Sequence, residues 1–234
     1  GLVKGASQGE GLGNQFLANI RECDAIIHVL RCFDDSGIVH VDGSVDPVRD
    51  KEIIDMELQL KDLETLENRA KRVEKAARVG GDKAAKIEMD VIDTYRKVLL
   101  EGKSARTVTF DTEDEMAAAK SLFLLTAKPV LYVCNVDDKS ASTGNEHTAR
   151  VAEAIKDEDA EMLIISAQTE ADIAELETYE EKQMFLEDMG LQESGCNRLI
   201  KAIYSLLTLQ TFITAGEMEV KAWTFRKGWK APQC

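Results

Sequence analysis

The sequence predicts an α/β protein whose parallel sheet is interrupted by a long helical hairpin, and three observations predict it. Residues 25–33, 130–134 and 161–165 are short apolar runs of strand length, separated by long stretches rather than by two-residue turns, as parallel strands require. Each run stops on small polar or acidic residues, which is where an open α/β sheet carries its ligand loops. From Val48 to Arg78 there is neither Gly nor Pro, and apolar residues recur at helical spacing.

Bulk properties narrow the function classes. A chain of 234 residues has ample material for a core. Its net charge of -14 and pI of 4.8 exclude a uniformly basic nucleic-acid binder but leave room for a local basic patch. Cys23, Cys32, Cys134, Cys196 and Cys234 form no C-x-x-C pair and no metal spacing, the usage of a reduced, cytoplasmic protein. No stretch has the apolar length of a membrane span. The chain opens on Gly-Leu-Val without Met and closes at Cys234 in mid-pattern, so a piece of a longer protein is expected.

Five glycines among the first thirteen residues predict a loop with close backbone approach. Asn14 to Arg21 reads as a short helix with Phe16, Leu17 and Ile20 on one side. Ala25–Phe33 reads as a buried strand, in which His28 is a hydrogen-bonded core histidine rather than a ligand. Asp34–Gly37 then turns the chain. After Pro47 the stripe Ile53, Met56, Leu60, Leu63, Ala70, Val73, Ala77 has coiled-coil spacing, broken where Glu67 enters the register. At the helical rise this segment is roughly 45 Å long. Gly80-Gly81 breaks it and Asp82 is placed to cap a second helix, carried by Ala84, Ile87, Val91, Tyr95 and Val98 to Gly102. Two such helices make an antiparallel hairpin.

The tip of that hairpin has its own chemistry. Residues 69–86 hold Arg69, Lys71, Arg72, Lys75, Arg78, Lys83 and Lys86 against Glu74 and Asp82, a net of +5 on a chain of -14. Cations near a helix C-terminus explain part of this. The rest predict phosphate contacts to RNA, by backbone or groove rather than by base stacking, since no aromatic residue lies among them. A solvated helical tip is the plainer alternative.

Gly102-Lys103-Ser104 resembles the end of a P-loop, but Lys97 stands where that motif needs its first glycine, and Gly102 ends a helix instead of following a strand. Thr112-x-x-Glu115 is a capping box for a helix running to Leu124 or Leu125. Pro129 opens the central strand, which stops at Asn135. In Asn135-Val136-Asp137-Asp138 the amide can brace a neighbouring loop and the Asp138 carboxylate can accept N–H groups from a purine edge. A helix from Glu146 to Lys156 leads to the third strand, Glu161–Ile165, and to the small-residue loop Ser166-Ala167-Gln168, whose N–H groups can close over the same purine. Residues 170–187 read as acidic helix, Leu186–Gly195 as loop and Asn197–Leu207 as helix. Thr211–Gly216 reads as a link to a strand over Glu219–Phe225, the beginning of a small β-rich domain.

Taken together, Gly1–Arg21, Asp24–Phe33, Ile173–Leu176, Leu209–Gly216 and Lys221–Thr224 resemble the YchF/Obg-like ATPase family of P-loop NTPases, in order and along essentially the whole chain. The resemblance implies a Ras-like parallel-sheet NTPase domain, with N-terminal strands missing, an inserted antiparallel coiled-coil hairpin and the start of a TGS domain. On this basis residues 1–46 are the part of the G domain after the Asp-x-x-Gly switch, 47–104 the hairpin, 105–215 the G-domain continuation with the base-recognition loops, and 216–234 the start of the TGS domain. It implies a cytoplasmic, ribosome-associated ATPase that binds ATP with Mg²⁺, has ribosomal RNA as partner, and needs neither membrane nor DNA. Gly1 matches the switch glycine, and Leu2 stands in place of a catalytic glutamine. Asn135, Val136 and Asp138 match the base motif, and Ser166, Ala167 and Gln168 the loop opposite.

Two features pull in different directions. Family members usually carry Glu where this chain has Asp138, and an Asp there favours guanine, whereas Val136 stands where guanine readers place Lys and supports ATP, so ATP is expected and GTP stays open beside it. No P-loop, switch threonine or switch aspartate occurs in these residues, so the chain as written is expected not to hydrolyse ATP, and no metal ligand is expected in it. A non-catalytic helical adaptor for RNA or the ribosome is the other class of reading.

Overall fold

A computed structural model describes residues 13–40, 43–79, 82–158 and 160–233. The glycine-rich opening, including Gly1 and Leu2, and the Gly80-Gly81 break lie outside the described residues. The chain divides into two compact units. The first is built from residues up to Ile26, Asp46–Pro129 and a short segment beginning at Ala154; the second takes Ile27–Val45, Val130–Glu153 and the chain from Ala160 onward.

In the first unit, helix α1 (Gly13–Glu22) is followed, beyond strand β1 (Ile26–Arg31), by α2 (Pro47–Val79), α3 (Lys83–Leu100) and α4 (Glu113–Ser121). Asp82 caps α3 as predicted, its carboxylate accepting from the N–H groups of Ala84 and Ala85. Arg69 of α2 pairs with Glu88 of α3, and Gln59 Nε2 donates to Gly102 O at 3.0 Å. Contacts that rise along one helix as they fall along the other make the hairpin antiparallel.

The buried stripe of α2 matches the predicted one in part, since Leu63, Ala70 and Val73 pack in the core as expected. Met56 and Leu60 are more than 40 % exposed, whereas Leu58, Asp62, Leu66 and Ala70 are buried. The stripe advances four residues at a time and passes through an aspartate, so a purely apolar pattern search misses part of it. Leu66 and Ala70 pack with Val91, Ile92, Tyr95 and Leu99 of α3 and with Leu122 and Leu124 after α4. Asp62, fully buried, accepts from Leu125 N–H and Thr126 N–H, each at 2.8 Å, and from the Thr126 hydroxyl at 2.7 Å. Burial pushes its carboxyl up, and those three bonds oppose the rise.

Helix α4 starts on the predicted capping box, Thr112 and Glu115 satisfying each other's backbone, but ends at Ser121 rather than Leu124. Phe123 takes a φ of 50°, which no helix continues through. Gly102 has a φ of 75° at the end of α3, the helix-terminating role that its sequence context predicts. Lys128 Nζ reaches the carbonyls of Arg21, at 3.0 Å, and Cys23, closing the C-terminus of α1.

The second unit contains the sheet. Strand β1, β2 (Val130–Asn135) and β3 (Glu161–Ile165) lie in that order. Strands β2 and β3 are parallel, with Val133 opposite Leu163 and Asn135 opposite Ile165. Cys32 N–H donates to Asn135 O at 2.8 Å beside the end of β1. Only β2 is buried on both faces as predicted, Leu131, Tyr132 and Cys134 being inaccessible. Strand β1 instead alternates, with Ile27 and Val29 exposed, because it is an edge strand among the described residues, and β3 is only partly buried. His28 packs against Tyr132 with ring centroids 5.6 Å apart.

Helices α5 (Glu146–Ile155), α6 (Ala167–Glu175), α7 (Tyr179–Asp188) and α8 (Gly195–Leu206) complete the α/β pattern. The stretch predicted as a link at Thr211–Gly216 is itself a strand, β4 (Leu209–Ala215), paired antiparallel with β5 (Val220–Arg226). Its β-branched and aromatic residues, with Phe212 opposite Trp223, suit a ladder better than a linker.

Candidate functional site

Parallel register assembles the site. Because Asn135 is level with Ile165, the chain leaving β2 and the chain leaving β3 emerge side by side, and Ser166 is the next residue. Asn135 Oδ1 accepts the N–H of Ala167 at 2.9 Å. Asp138 Oδ1 accepts the Ser166 hydroxyl at 2.6 Å and the Thr169 hydroxyl at 2.8 Å. Three hydrogen bonds thus join the loop after β2 to the residues that follow β3. Asp137 faces its own turn, accepting from Ser140 N–H at 2.9 Å.

Ser166-Ala167-Gln168 is not a loop. Ser166 is the N-cap of α6, its hydroxyl oxygen accepting from Thr169 N–H, and Ala167 and Gln168 form the first helical turn. A serine followed by helix formers and by Glu170 in the first turn has the composition of a helix start, and the helix dipole favours acids there. The Asp138 carboxylate therefore sits beside a helix N-terminus. The hydroxyls of Ser166 and Thr169 hold its carboxyl below the ordinary value.

The remaining predicted residues are placed as follows. Val136 is buried, and its N–H donates to Ile165 O at 3.0 Å, extending the ladder past Asn135. Gln168 is exposed and bonds along its own helix to Asp172, apart from the Asn135–Ala167 contact. Two supporting residues escaped the sequence reading. Thr169 is 1 % exposed and supplies the second hydroxyl on Asp138. Asn145 donates its amide to Cys32 O at 2.7 Å and accepts from Thr148 N–H, anchoring the start of α5 to the end of β1. An Asn three residues before a Thr is a capping signal, and Thr169 stands at the same spacing from Ser166.

Below the site, Glu170 accepts the N–H groups of Gly195 and Cys196 at 2.5 and 2.9 Å, fastening the N-terminus of α8 to α6. Helix α8 packs on β2 and β3.

Of the basic tip, Arg69 is held by Glu88 and Arg78 by Glu74 at 2.9 Å. Lys71, Arg72, Lys75, Lys83 and Lys86 are exposed, and among the described residues none is paired with an acid. Nor do three or more His, Cys, Asp or Glu side chains come together as a metal cage among the described residues.

A parallel sheet whose Asn135–Asp138 loop is clasped to a helix start at its carboxyl edge, with a helical hairpin inserted ahead of the central strand, defines the class: a Ras-like NTPase domain with a helical insertion. No family model matches the chain. It is 52 % identical over its whole length to the ribosome-binding ATPase YchF of Bacillus subtilis, covering 64 % of that protein, and 47 % identical to the one of Escherichia coli O157:H7, covering 63 %. The solved structure of the Schizosaccharomyces pombe YchF GTPase matches 99 % of this chain and 62 % of its own, with a TM-score of 0.84 at 35 % identity. The chain is homologous along its whole length to the YchF ribosome-binding ATPases, and it spans a little under two thirds of the length of these relatives.

Proposed function

We propose that this chain is the base-recognition and hairpin portion of a cytoplasmic, nucleotide-dependent ATPase that associates with ribosomes. The observation that carries the nucleotide half is the clasp, Asn135 to Ala167 and Asp138 to Ser166, at the carboxyl edge of adjacent parallel strands. The names of the bacterial relatives, ribosome-binding ATPases, support the ribosomal half.

In this reading Asn135, Val136, Asp138, Ser166, Ala167 and Gln168 surround the purine. Asn135 and Ser166 brace the loop after β2 against the start of α6 so that the base meets a preformed rim, which lowers the ordering cost of binding. Mg²⁺ accompanies the triphosphate; the described residues give it no side-chain cage. Gly1 and Leu2 keep the switch positions that the family resemblance assigns to them. Residues 47–104 form the arm that carries the cations to RNA, 105–215 return to the nucleotide domain, and 216–234 begin the TGS domain. Among the described residues no helix is long and apolar enough to cross a membrane.

Calorimetric titration of the complete protein with ATP and with GTP tests the nucleotide half. Tighter binding of ATP is expected, and absence of binding to either overturns it. Co-sedimentation with ribosomes tests the other half. The name of the fission-yeast relative, YchF GTPase, and the short Asp138 favour GTP as the second reading, which tighter GTP binding would establish.

A further inference from the structure

Resting on the purine site just proposed, we infer that Thr169 is a positioning residue for purine choice: with Ser166 it ties up one oxygen of Asp138, leaving a single carboxylate oxygen for the base. The two hydroxyls converge on the same atom, Oδ1, at 2.6 and 2.8 Å. A carboxylate oxygen has about two acceptor sites, so Oδ1 is filled from inside the protein. Thr169 is 1 % exposed and Ser166 2 %, so both hydroxyls are withdrawn from bulk water, while the Asp138 carboxylate that they bond is only partly buried. The N–H of Thr169 is in turn held by Ser166 Oγ at 3.2 Å, which locks Thr169 to the helix start.

The chemistry of the two purines makes this matter. Guanine presents N1–H and N2–H side by side, and two carboxylate oxygens meet that pair best. Adenine presents one amino donor next to an N1 that only accepts, and a second free oxygen facing N1 would repel it. Turning Oδ1 inward removes the second oxygen. The low pKa of Asp138 fits this arrangement, because an ionised group cannot donate to adenine N1 and must meet its amine instead. Thr169 thereby reconciles an aspartate at this position with adenine as ligand.

The test compares Thr169→Val, which keeps shape and removes the hydroxyl, with Thr169→Ser, which restores it, in the complete protein titrated with ATP and with GTP. Thr169→Val is expected to raise GTP affinity relative to ATP by about tenfold, the worth of one net hydrogen bond. Thr169→Ser is expected to keep the wild-type ratio. A ratio that is unchanged in Thr169→Val, or moved toward ATP, overturns the inference, as does equal weakening of both nucleotides, the mark of a merely structural role. Wild-type protein that binds neither nucleotide overturns the purine site itself and this inference with it, so the two failures are distinguishable.

Discussion

Asp62 and Thr126, sixty-four positions apart, are joined by two hydrogen bonds of 2.8 and 2.7 Å inside the protein, the carboxylate accepting both the backbone N–H and the hydroxyl. With Leu125 N–H as a third donor, one side chain of α2 satisfies the turn that leads toward β2. Asp62→Ala leaves two buried N–H groups without acceptors and is expected to cost about 3 kcal/mol or more. Asp62→Asn keeps one acceptor and should cost less. Urea unfolding followed by circular dichroism measures both, and equal stability of Asp62→Ala and wild type would refute this role for the carboxylate.

Asn135→Ala removes the acceptor of Ala167 N–H at the rim. The proposed site predicts purine affinity reduced by roughly tenfold or more, from about 1–3 kcal/mol of missing bracing, with the global melting midpoint little changed. Isothermal titration beside thermal melting separates the two effects.

Space, not backbone freedom, requires Gly195. A Cβ there would lie 2.7 Å from Ile165 Cγ2 and 2.9 Å from Glu170 Oε1. Gly195→Ala must push α8 off β3 or break the Glu170 bonds, an overpacking cost of about 1–3 kcal/mol. Denaturant midpoints of the alanine variant check this.

Asp138 sets a pH dependence. Its folded pKa lies below the ordinary value of 3.8, so its contribution to stability is present above that value and is lost as pH falls through the lower folded pKa. The Asp138–Ser166 hydrogen bond should therefore survive at pH 4 and open only in more acidic solution. A carboxyl ¹³C titration of Asp138 reads this directly, and a midpoint at or above 3.8 would contradict it.

At the hairpin tip, replacing Lys71, Arg72, Lys75, Lys83 and Lys86 by Glu should weaken RNA association and flatten its salt dependence, by just under one unit of log–log slope for each phosphate no longer neutralised. Arg69→Gln and Arg78→Gln should matter less, since Glu88 and Glu74 already engage those guanidinium groups. Ribosome co-sedimentation across a salt series gives the comparison.

Much of this molecule was legible in its residues. Val130–Cys134 is an apolar run bounded by Pro129 and Asn135, Thr112–Glu115 is a capping box and Gly102 a helix stop, and all three are local devices that work wherever the chain goes. The failures have the opposite character. Asp62 hid part of the buried stripe of α2, because a carboxylate reads as surface until its three partners near Thr126 are known. Strand β4 read as a linker because nothing in Leu209–Ala215 announces its partner in β5.

The candidate site divides along the same line. The order of letters alone determined that Asn135 and Asp138 follow one strand and Ser166 follows another, since strand ends are set by where apolar runs stop. Only tertiary structure decided that Thr169 joins them and that both hydroxyls meet the same oxygen of Asp138. Periodicity and capping act within a few residues, whereas which lone pair a distant hydroxyl fills depends on sheet register and helix entry angle, and those arise when the strands pack.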